Sequence, residues 1–123
     1  MLTPLLLATL LALLALFQLA LVCGAPLGHF AWGGQHRVLP RRFRIGSIVA
    51  FPVYALIALI AFDRAGLVDV FPDSFSVVGM WIVFAYCLFG IGQNAISRSK
   101  PERYTMVPVN IVLAVLSLLI ALG

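Results

Sequence analysis

Charge is scarce in this sequence. Four acidic and eight basic residues stand among 123. The charged share is 10%, where soluble domains carry about 25%. So few charges cannot solvate the surface of a soluble globule. A composition that is 63% hydrophobic also excludes disorder, which needs low hydrophobicity and high net charge. Cysteine is nearly absent: Cys23 and Cys87 are the only two. They are too few for a disulfide framework and form no CxxC pair for thiol redox chemistry, so they are read as reduced, small apolar packing residues. A positive N-terminal region is missing too. Met1-Leu2-Thr3-Pro4 carries no basic residue, whereas a secretory signal begins with one. Cys23 follows Ala20-Leu21-Val22, without the leucine and small residue that lipid attachment at that cysteine would need. The first apolar run is therefore read as a retained helix.

The apolar residues fall in four runs, at about 2–22, 45–62, 75–92 and 105–122. At about 1.5 Å rise per residue, roughly 17 to 21 residues make roughly 26 to 32 Å of helix, matching the hydrocarbon core of a bilayer. Lipid cannot pair open backbone groups, so only helices or closed barrels span it. The alternating strand segments of a barrel are missing. The expected fold is all-α: a single domain over 1–123, folded as an antiparallel four-helix transmembrane bundle.

The loops set the expected orientation. Arg37, Arg41, Arg42 and Arg44 lie in the first loop, and Arg98, Lys100 and Arg103 in the third. The second holds Arg64 against Asp63, Asp69 and Asp73. Seven of the eight basic residues thus fall on one face. The positive-inside rule places that face in the cytoplasm and both termini on the outer side. The net charge of +4 is a topology signal. Nucleic-acid binding is a poor reading of it, because no soluble domain presents the basic clusters. Small residues at helical spacing, Ala8 with Ala12, Gly46 with Ala50 and Ser117 with Ala121, offer close-packing seams inside the bundle or between copies of the chain. A short parallel between Phe51-Pro52-Val53-Tyr54 and Val107-Pro108-Val109-Asn110 hints at two similar halves, each proline expected to kink its helix.

The first loop is the most distinctive stretch. Four glycines and two prolines between Gly24 and Arg42 exclude a continuous helix. Phe30 and Trp32 suit the headgroup level, and Gly33-Gly34 suits a tight turn toward the arginines. One reading is a ligand or lipid-headgroup clamp formed by His29, Trp32, His36, Arg37, Arg41, Arg42 and Arg44. Each arginine would contribute about 1 kcal/mol toward anionic lipid. The other reading is a structural connection whose arginines fix topology. The pattern Gly-Ala-Pro-x-Gly-x-x-x-Trp-Gly-Gly-x-His here, with Leu39-Pro40 and Arg44-Ile45-Gly46-Ser47 after it, resembles a family of small four-span bacterial membrane proteins of actinobacterial type. Asn94-x-x-Ser97-x-Ser99-x-x-Glu102-Arg103 and Pro108-Val109 extend the likeness to the third loop. The resemblance implies a bacterial plasma membrane protein and carries over no activity.

Chemistry must then come from the residues. His29 and His36 lack the third and fourth ligands that zinc needs, so no metal or other cofactor is expected. Asp63, Asp69 and Asp73 lie on the face opposite the histidines, and Glu102 is expected to pair within its own loop. No nucleophile with its base is apparent, and an enzyme is not the favoured reading. Proton-coupled export needs an ionisable residue within the spans, and none of the four runs has one. Of the polar residues within or bordering the spans, Gln18, Ser47, Asn94 and Asn110 gather at the inner-leaflet ends, and the outer half offers little beyond Thr9, Ser117 and a central Tyr54. Gln18 and Asn110 sit at matching depths, so they are expected to pair across a small pocket with Ser47 and Cys87 nearby. These features favour a non-enzymatic binding or accessory-subunit role through the cytoplasmic loops and this polar cluster. The alternative is an oligomeric transporter or channel for a small or apolar solute. Expected partners are anionic membrane lipids and either further copies of the chain or a larger membrane complex.

Overall fold

The structure is a computed structural model that describes residues 2–31, 34 and 36–123, with the backbone alone at His29. The expectations for Trp32 and Gly33 lie outside the described residues. Four helices account for most of the chain: α1 (Leu2–Val22), α2 (Arg41–Arg64), α3 (Asp73–Ala95) and α4 (Lys100–Leu122). A short 3-10 turn, Gly28–Phe30, interrupts the first loop. No strand occurs among the described residues, and the helices pack as a bundle. Each is long and apolar enough to cross a membrane.

The helices overrun the apolar runs. α2 begins at Arg41 rather than near Ile45, and α4 begins at Lys100 rather than near Thr105. Hydropathy marks where a chain meets hydrocarbon, whereas a helix ends where its capping chemistry ends. Pro40 and Pro72 stand at the N-caps of α2 and α3, where a missing N–H costs nothing and the fixed φ suits entry. At α4 the Ser99 side chain accepts from the Glu102 N–H at 3.4 Å, as in the first half of a capping box. α1 and α2 stop by one device. Ala25 N–H reaches Ala20 O and Gly24 N–H reaches Leu21 O; Leu67 N–H reaches Phe62 O and Gly66 N–H reaches Asp63 O. These are Schellman motifs, with Gly24 and Gly66 in the left-handed region that a Cβ disfavours.

The core joins all four helices: Leu7 and Leu11, Ile57, Ile60 and Ala61, Met80, Val83 and Cys87, and Leu113, Ala114, Ile120 and Ala121. Ser117 and Ala121 are buried on α4, whereas Ala12 is exposed on α1, so the expected seams are unequal. A closer seam lies between α2 and α3. A Cβ at Gly79 would stand 3.1 Å from Ile60 Cγ2, a tight approach that only glycine allows without movement. Beyond this core the surface is apolar. Only 17 to 28% of each helix's most apolar window is buried within the bundle, which leaves Leu13, Leu16, Ile82, Phe89 and Val115 exposed. A surface of this kind suits lipid rather than water.

Asp63 is the clearest correction to the sequence reading. It is not a loop charge but a buried residue in the last turn of α2, 7% exposed. Its Oδ2 accepts from the Val70 N–H at 2.7 Å and the Phe71 N–H at 2.8 Å, and its Oδ1 accepts from the Ser76 hydroxyl. One carboxylate thus ties the second loop to the first turn of α3. Beside it, Arg64 donates to Ala121 O at 3.2 Å, placing the end of α2 against the end of α4.

Candidate functional site

A cavity of about 320 Å³ lies between the helices, near the small end of the range for ligand sites. Its walls change character along the bundle. Leu7, Leu11, Ile57, Val83 and Leu113 line one part, and Gln18, Gln93, Asn94, Glu102 and Asn110 line another. Phe30 and Ala31 from the first loop also line it, together with Met106. The loop that sequence places at the membrane surface therefore folds over the start of α4 and forms part of the cavity wall. Tyr86, Phe89 and Gln93 line it too and are themselves exposed. At spacings of three and four they lie along one edge of α3, where the cavity opens to the outside of the bundle.

Three of the four expected cluster residues meet here. Gln18, Asn94 and Asn110 line the cavity; Ser47, 1% exposed, is not part of its wall. The expected Gln18–Asn110 pair does not form. Gln18 Nε2 donates instead to the Tyr54 hydroxyl at 3.4 Å, and its Oε1 is buried without a partner. Asn110 Nδ2 donates to Met106 O at 2.9 Å, within its own helix. Asn94 Nδ2 does the same to Gly90 O at 2.8 Å. Gly90 makes room for the Asn110 amide: a Cβ there would stand 2.8 Å from Asn110 Oδ1. Deeper in, Cys87 Sγ lies 4.0 Å from Ser117 Oγ. Glu102 is 6% exposed and lies in the cavity wall.

The loop candidates separate into two groups. Arg37, Arg41 and Arg42 are exposed, and the Arg42 guanidinium lies 4.8 Å over the Phe43 ring. Arg44 turns inward: its Nε–H donates to Leu39 O at 2.8 Å, and its guanidinium sits beside Gly24. His36 packs against Phe43 with ring centroids 5.5 Å apart. Its Nε2 is buried without a partner. The Trp32 and His29 side chains lie outside the described residues. Arg44 therefore closes the loop, while the other three arginines remain available to a partner.

Sequence reasoning missed Gly28. Its N–H donates to Arg37 O at 2.8 Å, and a Cβ there would stand 1.9 Å from His36 O. The two arms of the loop cross at this residue. Its place inside the Gly-Ala-Pro-x-Gly pattern is the signal the sequence offers. Of the Gly33-Gly34 pair, Gly34 has φ +72 and donates to Ala31 O at 2.9 Å. No protein-family model, curated protein or solved structure matches the chain.

Proposed function

We propose that the chain is a multi-pass protein of a bacterial plasma membrane with a non-enzymatic binding or accessory-subunit role. The observation that carries this reading is the cavity, whose amide-lined part lies against the arginine-bearing first loop. Anionic headgroups are the partners for Arg37, Arg41 and Arg42, and the cavity is the place for a small ligand. Its packed surroundings favour binding over conduction, because fully buried Leu7, Ala61, Met80 and Ala121 fill the bundle toward the Asp63 end. Proteoliposomes holding the purified chain should release trapped potassium or glycerol no faster than protein-free vesicles. Anionic lipid should stay on the protein through detergent washing and be lost when Arg37, Arg41 and Arg42 are all replaced by glutamine. Release that falls in Asn110→Leu would put the transporter reading in its place.

The proposed arrangement is an antiparallel bundle with both termini on the outer side. Supporting contacts are those of Arg64 with Ala121, Asp63 with Ser76, and Gly90 with Asn110. The charge split between the loops supports the orientation. In a chain with Cys23 and Cys87 replaced, a cysteine at Asp69 should react with an impermeant maleimide added to intact cells. A cysteine at Ser99 should react only after permeabilisation. Ser99 labelling in intact cells would reverse the orientation.

A further inference from the structure

Asn94 and Asn110 both commit their amide nitrogens to backbone carbonyls of their own helices. A carbonyl can only accept, so the direction of these two bonds is fixed and the amide oxygens are left over. Neither oxygen has a hydrogen bond among the described residues. Gln18 places its Nε2 on the Tyr54 hydroxyl and leaves its Oε1 buried and unpartnered, although a hydroxyl, unlike a carbonyl, can serve either end of the amide. A buried polar atom without a partner is costly and needs explanation. Three acceptors thus line one cavity, and the Tyr54 hydroxyl beside them can also donate. The described lining contains Glu102 and no lysine or arginine, which disfavours an anionic head. The apolar part offers leucine, isoleucine and valine walls, and the exposed edge of α3 offers a way in from the bilayer.

We propose that this cavity binds a single-chain amphipathic lipid with a neutral, hydroxyl-bearing head. The hydroxyls donate to the amide oxygens of Gln18, Asn94 and Asn110, and the chain lies along Leu7, Leu11 and Leu113. The ligand enters from the leaflet beside Tyr86, Phe89 and Gln93. This rests on the binding role given above and names the ligand class for its cavity.

The test uses a monoacylglycerol with a diazirine in its acyl chain, photolysed with the purified full-length chain in detergent. Saturable labelling should map to cavity-lining peptides around Leu11, Val83 and Leu113. Unlabelled monoacylglycerol should compete; the methyl ester of the same chain, which lacks both hydroxyl donors, should compete at least about tenfold more weakly, the scale of one hydrogen bond or more. The free fatty acid should also be a weak competitor. Asn110→Leu and Asn94→Leu should each reduce the preference for the glycerol head over the methyl ester. Gly90→Ala, which pushes the Asn110 amide aside without removing it, should weaken the preference and serves if either leucine variant fails to fold. Equal competition by ester and glyceride would overturn donor recognition. Unsaturable labelling spread over Leu13, Leu16 and Ile82 would overturn the cavity as the site. Free glycerol competing as well as the glyceride would overturn a lipid ligand. None of these failures touches retention of anionic lipid by the loop arginines, so this inference can fail while the binding role stands.

Discussion

Gly28→Ala is expected to unseat the first loop. The new Cβ would lie 1.9 Å from His36 O and 2.7 Å from Arg37 O. Both are backbone atoms, so no side-chain rotation relieves the clash and one arm of the loop must move. That movement breaks the hydrogen bond from Gly28 to Arg37 and withdraws Phe30 and Ala31 from the cavity wall. Overpacking costs about 1–3 kcal/mol where side chains can adjust, and a collision with backbone belongs at or above the top of that range. Gly92→Ala is the matched control, because nothing lies within 4 Å of a Cβ there. Alanine in a helix interior gains roughly 0.5–1 kcal/mol over glycine. Trypsin at the exposed Arg37–Val38 bond should cut the Gly28 variant much faster than the parent and the Gly92 variant no faster. Equal cleavage of all three would show that the crossing at Gly28 does not hold the loop.

Asp63→Ala should be far more damaging than Asp69→Ala or Asp73→Ala. The latter two residues are exposed, where substitutions usually fall within about 0.5 kcal/mol. Removing the Asp63 carboxylate takes the acceptor from the Val70 and Phe71 N–H groups and from the buried Ser76 hydroxyl at once. A buried group left without a partner loses more than the bond itself. Asp63→Asn separates charge from geometry. Its one oxygen can accept from both backbone groups while its nitrogen donates to Ser76, so it should retain most of the parent's thermal stability in detergent. If the asparagine variant melts with the alanine one, the negative charge rather than the number of bonds holds the second loop. If Asp63→Ala melts with Asp69→Ala, the anchor has no role in stability.

Much of the helical layout was legible because it follows from one physical demand. Lipid cannot pair backbone groups, so each long apolar run had to be a helix. The ends were less legible because Arg41 and Lys100 continue helices that hydropathy no longer marks, although Pro40, Pro72 and Ser99 carry capping signals. The cavity residues were legible in depth alone. Gln18 and Asn110 were matched by distance along their helices, but a contact also needs matching direction around the axis. Gln18 turns toward Tyr54 of α2, and Asn110 turns back on its own helix. Asp63 looked like a surface charge because no periodicity shows that Val70 and Phe71 fold back onto it. The crossing at Gly28 was hidden for the same reason, since it joins two irregular segments.

The overrun of α2 past its apolar run turns that helix into a gauge of membrane thickness. Its 24 residues make a rod about 36 Å long, with Arg41, Arg42 and Arg44 at one end and Arg64 at the other. The hydrocarbon it crosses is about 30 Å thick. In a bilayer thinner than its apolar run, the helix would leave apolar residues such as Ile45 and Ile48 in water, so the rod must lean rather than shorten. The Arg64 contact with Ala121 would carry α4 with it, and α4 forms one wall of the cavity beside α3. Bilayer thickness would then set the width of the opening along Tyr86 and Phe89, making access to the cavity a property of the surrounding lipid as well as of the protein.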